Sequence, residues 1–532
     1  MSETFTPAER EQLRPYFTDL DGTVFALVGL PEVVKGALFA RYSRSGKSLR
    51  RLFLDEFLGP DSPLPQAAAE VGVERAERLY ERVFSEYGDD SVAQLGGVHL
   101  ACENVSNLLT KQLEWGRLAA YLEQSTRYIS YADRPGGRWK YHVPAELDGS
   151  PLRERYERTL DAVFKTYAAW LEPLQEYFAA LHPRADDVSP QVYKQTIRAK
   201  ALDALRGLLP AATTANVGIF ATGQAYEALL LRLGAHPLAE SRACAERMLA
   251  ELRKVIPAFV KRVDQPERGL AWSRYLGETR AATAAVAAEL LAGTAPRPQP
   301  EVRLTEFDPE GEVKVVAAAL YAVSNLPDEQ LLERARAMSG EERLRVLRAY
   351  VGTRTNRRHK PGRAFERTGY RFDVLCDYGA FRDLQRHRLL TLEWQPLSVQ
   401  HGYDVSPSIA AAGAGDAWRR AMEASADLYH ALQNAGLEQV APYAVCMAYR
   451  VRFHLQLNAR EALHVIELRT GKQGHPSYRR VCQAMHRLIA EQAGHGAIAA
   501  AMHFADHGAV ELERLEAERA AERRREERTP RA

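Results

Sequence analysis

Cysteine is scarce: the 532 residues hold five, Cys102, Cys244, Cys376, Cys446 and Cys482, and none stands in CxxC spacing. That excludes a zinc knuckle and a disulfide framework and leaves reduced, mostly core thiols. Charge of one sign is also missing, because Lys+Arg 71 against Asp+Glu 69 gives a net charge of only +2. A general nucleic-acid binder carries a basic excess, so no nucleic-acid partner is expected and any cationic site must be local. Nowhere do about 18 uncharged apolar residues run together, and the opening "MSETFTPAEREQLRPYF" has early glutamates and no apolar h-region. A cytoplasmic protein without membrane contact is expected. Neither His454 with His464 nor His475 with His486 has HxxxH spacing, so no metal site is expected.

What is present suits a packed enzyme. Hydrophobic residues at 46% and charged residues at 26% are ordinary globular values, and the length calls for two or more domains. The clearest break is "GTAPRPQPEVRLTEFDPEGEV", where Pro296, Pro298 and Pro300 cluster. It places a linker at 293–312, between a first segment, 1–292, and a second, 313–509, followed by a tail, 510–532. Helical periodicity marks "LLTKQLEWGRLAAYL", "KALDALRGLLP", "GQAYEALLLRLG" and "AESRACAERMLAELRKVI" before the linker. It also marks "DEQLLERARAM", "AWRRAMEASADLYHALQNAG" and "YRRVCQAMHRLIAEQ" after it. Strands are expected at "TVFALVGL", "EVKVVAAALYAV" and "YRVRFHLQL". The class is α+β, rich in helix. The tail "ELERLEAERAAERRREERTPRA" reads as a solvated, fraying charged helix.

The two halves repeat one order of blocks. "GALFARYSRS", "VSNLLTKQLEWGRLAAYLEQSTRY", "DALRGLLP" and "YEALLLRLGAH" in the first correspond to "AAALYAVSN", "DYGAFRDLQRHRLLTLEWQ", "VAPYAVCMAYR" and "LNAREALHVIELRTGKQGH" in the second. Within them, Glu123, Ser125 and Arg127 bring a carboxylate, a hydroxyl and a guanidinium into one short segment able to grip a phosphate or a polar ring. Arg386, His387 and Arg388 form a second cationic cluster. Each alone is more often a solvated ion pair or polar helix face.

In combination, these motifs resemble those of the flavin-dependent thymidylate synthases, whose core reads RHRx7S within a pattern ending "NExSxRY". The first half is similar from the third Arg onward, with Arg117, Ser125, Arg127 and Tyr128, but has Trp115 and Gly116 at the first two positions and Leu122 in place of Asn. The second half keeps Arg386, His387 and Arg388 but has Pro396 at the Ser position. "ALRGLLP" resembles the family's "ARxxLP" and puts Arg206 on a nucleotide phosphate. "GQAYEALLLRLGAH" and "NAREALHVIELRTGKQGH" both resemble "NxRSLxxFLxLRxxxH", so that Arg232 and Arg469 share a position. Asn458 and Arg460 retain a flavin-contacting pair that the first half replaces with Ala221 and Gly223. Gln112 matches a Gln that contacts the uracil nucleotide, and Asp383 stands at that spacing in the second half. Glu366, in "HKPGRAFE", matches a flavin-contacting Glu, where the first half has Gln94.

The resemblance thus implies a tandem duplication with divided losses. Gln112, Arg117, Glu123, Ser125, Arg127, Arg206 and Arg232 are expected on the nucleotide, and Glu366, Arg386, His387, Arg388, Asn458 and Arg460 on FAD. Arg127, Arg232 and His387 are the expected catalytic residues. The activity implied is reductive methylation of dUMP to dTMP with methylenetetrahydrofolate and NADPH. The alternatives are a catalytically degenerate flavin- or nucleotide-binding homologue and a flavoenzyme acting on another pyrimidine nucleotide. Because the family's sites lie between subunits, a homodimer forming a pseudo-tetramer is expected.

Overall fold

The structure is a computed structural model and describes residues 4–43, 45–58 and 94–528. It forms two compact units. One comprises Met1–Val105, Gly116–Glu123 and Asn216–Thr294, the other Ser106–Trp115, Gln124–Ala215 and Ala295–Ala532. Compact units and sequence repeats therefore differ: residues 124–215, from the first repeat, fold with the second.

The first unit is built on a three-stranded sheet of order β1-β3-β2, with β1 at Gly97–Ser106, β2 at Ala119–Glu123 and β3 at Thr214–Thr222. Along "TANVGIFAT" burial alternates, with Ala215, Val217, Ile219 and Ala221 turned inward, the period of a pleated strand with one covered face. Thr222 then caps the helix Gly223–Gly234 by accepting from the Ala225 amide. Tyr226 pins that helix to the sheet, its hydroxyl donating to the Val98 and Ile219 carbonyls.

In the second unit an antiparallel sheet of order β4-β5-β7-β6 joins Val302–Phe307, Gly369–Asp377, Arg450–Asn458 and Thr391–Trp394. Tyr370, Phe372, Val374 and Cys376 form the buried face of β5. Asp377 ends β5 and caps the helix Tyr378–Leu384, while Asn458 ends β7 and caps Ala459–Arg469. Strand, short helix, strand, long strand, helix is also the order of these elements along the first repeat, and β5-β7-β6 repeats the order β1-β3-β2. The duplication is thus visible in the topology. Measured from the helix caps Thr222 and Asn458, Glu123 pairs five residues back, with Val217, and Glu393 four residues back, with His454, so the two glutamates are offset by one position.

Four local expectations fail. "TVFALVGL" forms no strand, and only Leu27 makes a bridge, to Phe17. "EVKVVAAALYAV" is helical over Gly311–Tyr321 with Val315, Val316, Ala317 and Ala319 buried; a short apolar run buried around most of its girth has no period to tell helix from strand. "LLTKQLEWGRLAAYL" is helical only to Leu113, because Ala119–Glu123 pair with β3, and a tertiary partner outweighs helix propensity. The tail helix Leu515–Arg528 is not merely solvated. Glu513 is buried against Lys200 at 2.7 Å, Ser189 bonds Glu522, and the Arg514 guanidinium lies 3.6 Å from the Tyr128 ring centroid. Among the described residues no helix is long and apolar enough to cross a membrane.

Deleting residues 511–532 is expected to lower the melting midpoint by several degrees, on the scale of about 2–4 °C per kcal/mol for a unit of this size. Calorimetry checks this, and an unchanged midpoint would mean that the docked tail contributes nothing.

Candidate functional site

The site grows from a backbone ladder inside the second unit. Residues following Arg206 run against residues preceding β7: Ala211 N donates to Val445 O and Ala212 N to Tyr443 O, while Met447 N and Ala448 N donate to Leu209 O and Gly207 O. First-repeat "RGLLP" is thereby zipped to second-repeat "AVCMA", and Arg206 is delivered beside the helix Tyr378–Leu384. Its Nη1 donates to Asp383 Oδ2 at 3.1 Å, and its Nη2 lies 3.7 Å from Asp377 Oδ1. Gly379 is needed here, since a Cβ would sit 2.8 Å from the Arg206 Nε.

Arg127 reaches the same place from the segment after β2. Its Nε and Nη2 make a bidentate pair with Asp203 at 2.8 and 2.6 Å, its Nη1 donates to the Tyr478 hydroxyl, and Nη2 also donates to Gln473 O. Next to it, Thr126 accepts from the Arg382 Nη1, and Ser125 Oγ accepts from the Arg127 amide. Burial opposes the charge on Asp203, but Arg127 more than compensates and holds the carboxyl below its ordinary range. The same contest ends the same way at Asp383, where burial is overcome by Arg386, Arg206, Arg469 and Arg127. Asp383 Oδ1 lies 3.7 Å from Arg386 Nη1 and 3.8 Å from Arg469 Nη1. The Tyr478 ring lies under both Arg127 and Arg469, 5.7 and 5.5 Å from their guanidinium carbons.

His387 is buried beside this cluster. Arg469 Nε donates to its Nε2 at 2.9 Å, which leaves the proton on Nδ1, 3.7 Å from Glu461 Oε1. Burial, then Arg469, keeps the imidazole neutral, well below its usual pKa. Burial also pushes Glu461 up to about 7 against the pull of Lys360 and Arg460, and pushes His464 down to about 4, helped by Lys360 and Arg357. His387, Glu461 and His464 bring their ligand atoms within 4.8 Å of one another, a cluster that spacing alone did not reveal. A dication there would meet Lys360, Arg357, Arg460 and Arg469, and Arg469 already occupies His387 Nε2. The setting suits an anion or an electron-rich ring instead.

The remaining flavin candidates flank this patch. Arg460 donates to Pro361 O and lies 3.6 Å from Glu366, which also meets Arg363. Asn458 spends its Oδ1 on the Glu461 amide as a helix cap, and Arg388 is half-buried on the connection into β6. This donor-rich set fits a flavin, whose diphosphate and ring carbonyls are acceptors. Asp203 and Arg206 also line a cavity of about 460 Å³ with Asp377, His475 and Trp418, within the usual range of small-molecule sites.

Not every nucleotide candidate is in this cluster. Gln112 is half-buried on the helix Asn107–Leu113, and Glu123 is buried at the end of β2. Arg117 and Arg232 line another cavity, of about 700 Å³, in the first unit, with Tyr121, Arg262 and Trp272. Gly116, at the His position of the motif, leaves room for the Tyr121 hydroxyl, which a Cβ would approach to 2.7 Å. Asp203, Tyr478 and Glu461 were missed by sequence reasoning, and His464 was weighed there only as a metal ligand. Asp203 had a local signal, three residues before Arg206; Tyr478 lies 351 residues from Arg127 and had none.

Residues 47–258 and 303–493 match the family of the thymidylate synthase complementing protein. A UPF0159 protein of Chlamydia pneumoniae is 38% identical over 493 residues, 92% of this chain and 93% of that protein. A UPF0159 protein of Thermoplasma acidophilum is 32% identical, covering 91% of this chain and 97% of that one. A flavin-dependent thymidylate synthase of Clostridium tetani is 25% identical over 202 residues, 37% of this chain and 74% of the relative.

Asp203→Ala, which strands a buried guanidinium, is expected to cost about 3–5 kcal/mol. Adding Arg127→Met should restore much of that loss in chemical unfolding. Glu461 titrates higher folded than unfolded, so its contribution is full below about pH 4.5 and is lost as pH rises through about 7. Glu461→Gln should therefore flatten the fall of stability between those pH values by about 2 kcal/mol, read from unfolding curves at each pH.

Proposed function

Because the chain belongs to the thymidylate synthase complementing protein family, we propose that it is a flavin-dependent methylase converting dUMP to dTMP at a site assembled from both repeats. The observation carrying this reading is the convergence of Arg127 and Arg206, from the first repeat, with Arg386, His387 and Arg469, from the second, around Asp383. Four guanidiniums face Asp203, Asp383 and Asp377, and the arginines' excess over the carboxylates suits a phosphate anion.

Arg206, Arg386 and Arg469 bind the nucleotide and stabilise negative charge as the uracil ring is activated, an electrostatic role that needs no protein nucleophile. That agrees with the burial of all five cysteines. Arg127 acts differently from a free phosphate ligand: its bonds to Asp203, Tyr478 and Gln473 make it the anchor of the wall. His387, neutral and fixed by Arg469, orients the ring that packs on it. Glu366, Arg386, His387, Arg388, Asn458 and Arg460 are the residues that would hold FAD, which supplies hydride transfer when bound. Overall, the C5 proton of dUMP is exchanged for a methyl group whose carbon comes from methylenetetrahydrofolate. NADPH provides the hydride, and tetrahydrofolate and NADP leave. Two chains pairing as a pseudo-tetramer complete the proposal.

Purified chain reconstituted with FAD should release tritium from dUMP labelled at C5, dependent on methylenetetrahydrofolate, and Arg386→Met should cut that release about 100-fold while lowering flavin absorbance. Yellow protein without release would move the reading to another pyrimidine nucleotide or to a binding homologue. Protein that cannot be made yellow would refute a flavin.

A further inference from the structure

Asp383 stands where an anion would be held. One of its oxygens accepts from Arg206 at 3.1 Å, and the other lies 3.7 and 3.8 Å from Arg386 and Arg469. Only 12% of its side chain is exposed, so water screens these contacts poorly. Arg127, the fourth cation, is committed to Asp203 and Tyr478. The other three, Arg206, Arg386 and Arg469, are the three that Asp383 shares, Arg206 also facing Asp377 and Arg469 also donating to His387. The equivalent residue of the first repeat, also six positions after a helix cap, is the neutral Gln112. The second repeat thus carries a full charge where its twin carries none.

We propose that Asp383 is a resident counter-ion of the anion subsite, which a phosphomonoester must displace from Arg206, Arg386 and Arg469 in order to bind. This rests on the nucleotide reading above and adds a specificity rule to it. Like charge brought into a desolvated pocket is strongly unfavourable, so the phosphate group alone binds weakly and the ligand depends on its ring for affinity. Inorganic phosphate, which offers charge without a ring, is kept out. The two carboxylates do different work: Asp203 fixes a wall, whereas Asp383 contests the ligand.

The test is calorimetric titration of the full chain, as wild type, Asp383→Asn and Asp383→Glu, with inorganic phosphate, dUMP and deoxyuridine. Asp383→Asn is expected to bind phosphate and dUMP at least about tenfold more tightly with deoxyuridine unchanged, while Asp383→Glu stays close to wild type. No gain for phosphate and dUMP, or a parallel loss for deoxyuridine, overturns the proposal, the latter because Asp383 would then be reading the ring. A tenfold gain for phosphate with neither dUMP nor deoxyuridine bound upholds the counter-ion and sinks the nucleotide reading instead. Wild-type chain provides a test independent of how the variants fold. Its affinities for dUMP and deoxyuridine should lie within about tenfold, and a hundredfold preference for dUMP refutes the counter-ion.

Discussion

Everything at the site depends on keeping several guanidiniums together out of water. Arg127 and Arg206 are each less than a tenth exposed, and like charges at that density cannot stay without compensation. Asp203 and Asp383 supply it, and the backbone follows from their demands. The ladder between Gly207–Ala212 and Tyr443–Ala448 brings Arg206 to Asp383, and the clasp of Arg382 on Thr126 holds the segment that carries Arg127. The fold is arranged so that charges from two ends of the chain cancel incompletely in one place.

Incomplete cancellation separates a binding site from a structural ion-pair network. The Arg354–Glu467 pair, with both side chains 1% exposed, shows the other outcome. There one arginine meets one glutamate bidentately, with backbone carbonyls taking the remaining donors, and nothing is left for a ligand. At the composite site the arginines outnumber the aspartates, a neutral imidazole lies alongside, and a cavity opens beyond Asp203 and Arg206.

Duplication explains how such a site could arise in one chain. Each repeat keeps the same strand and helix order, yet the equivalent residues have diverged in charge and size: Gln112 against Asp383, and Gly116 in a region where the other repeat keeps its intact RHR triplet. In the first unit, Arg117 and Arg232 line a cavity of about 700 Å³. The repeats share a scaffold and differ in their cations.

The sequence by itself determined the duplication, the helix-rich α+β class and most helices with a clear amphipathic period, because these depend on local pattern. Gly223–Gly234 and Pro476–Glu491 were legible for that reason. It also marked Arg127, Arg206, Arg386 and His387 as exceptional, since their motifs are contiguous. Only the tertiary structure decided which groups those residues meet. Arg127 became a bonded anchor through Asp203 and Tyr478, His387 took one tautomer from Arg469, and Glu461 and His464 joined it from another helix. The strand at Ala119–Glu123 was likewise settled by a partner far along the chain. Charge pairing and burial depend on distance in space, and local sequence pattern carries little of that information.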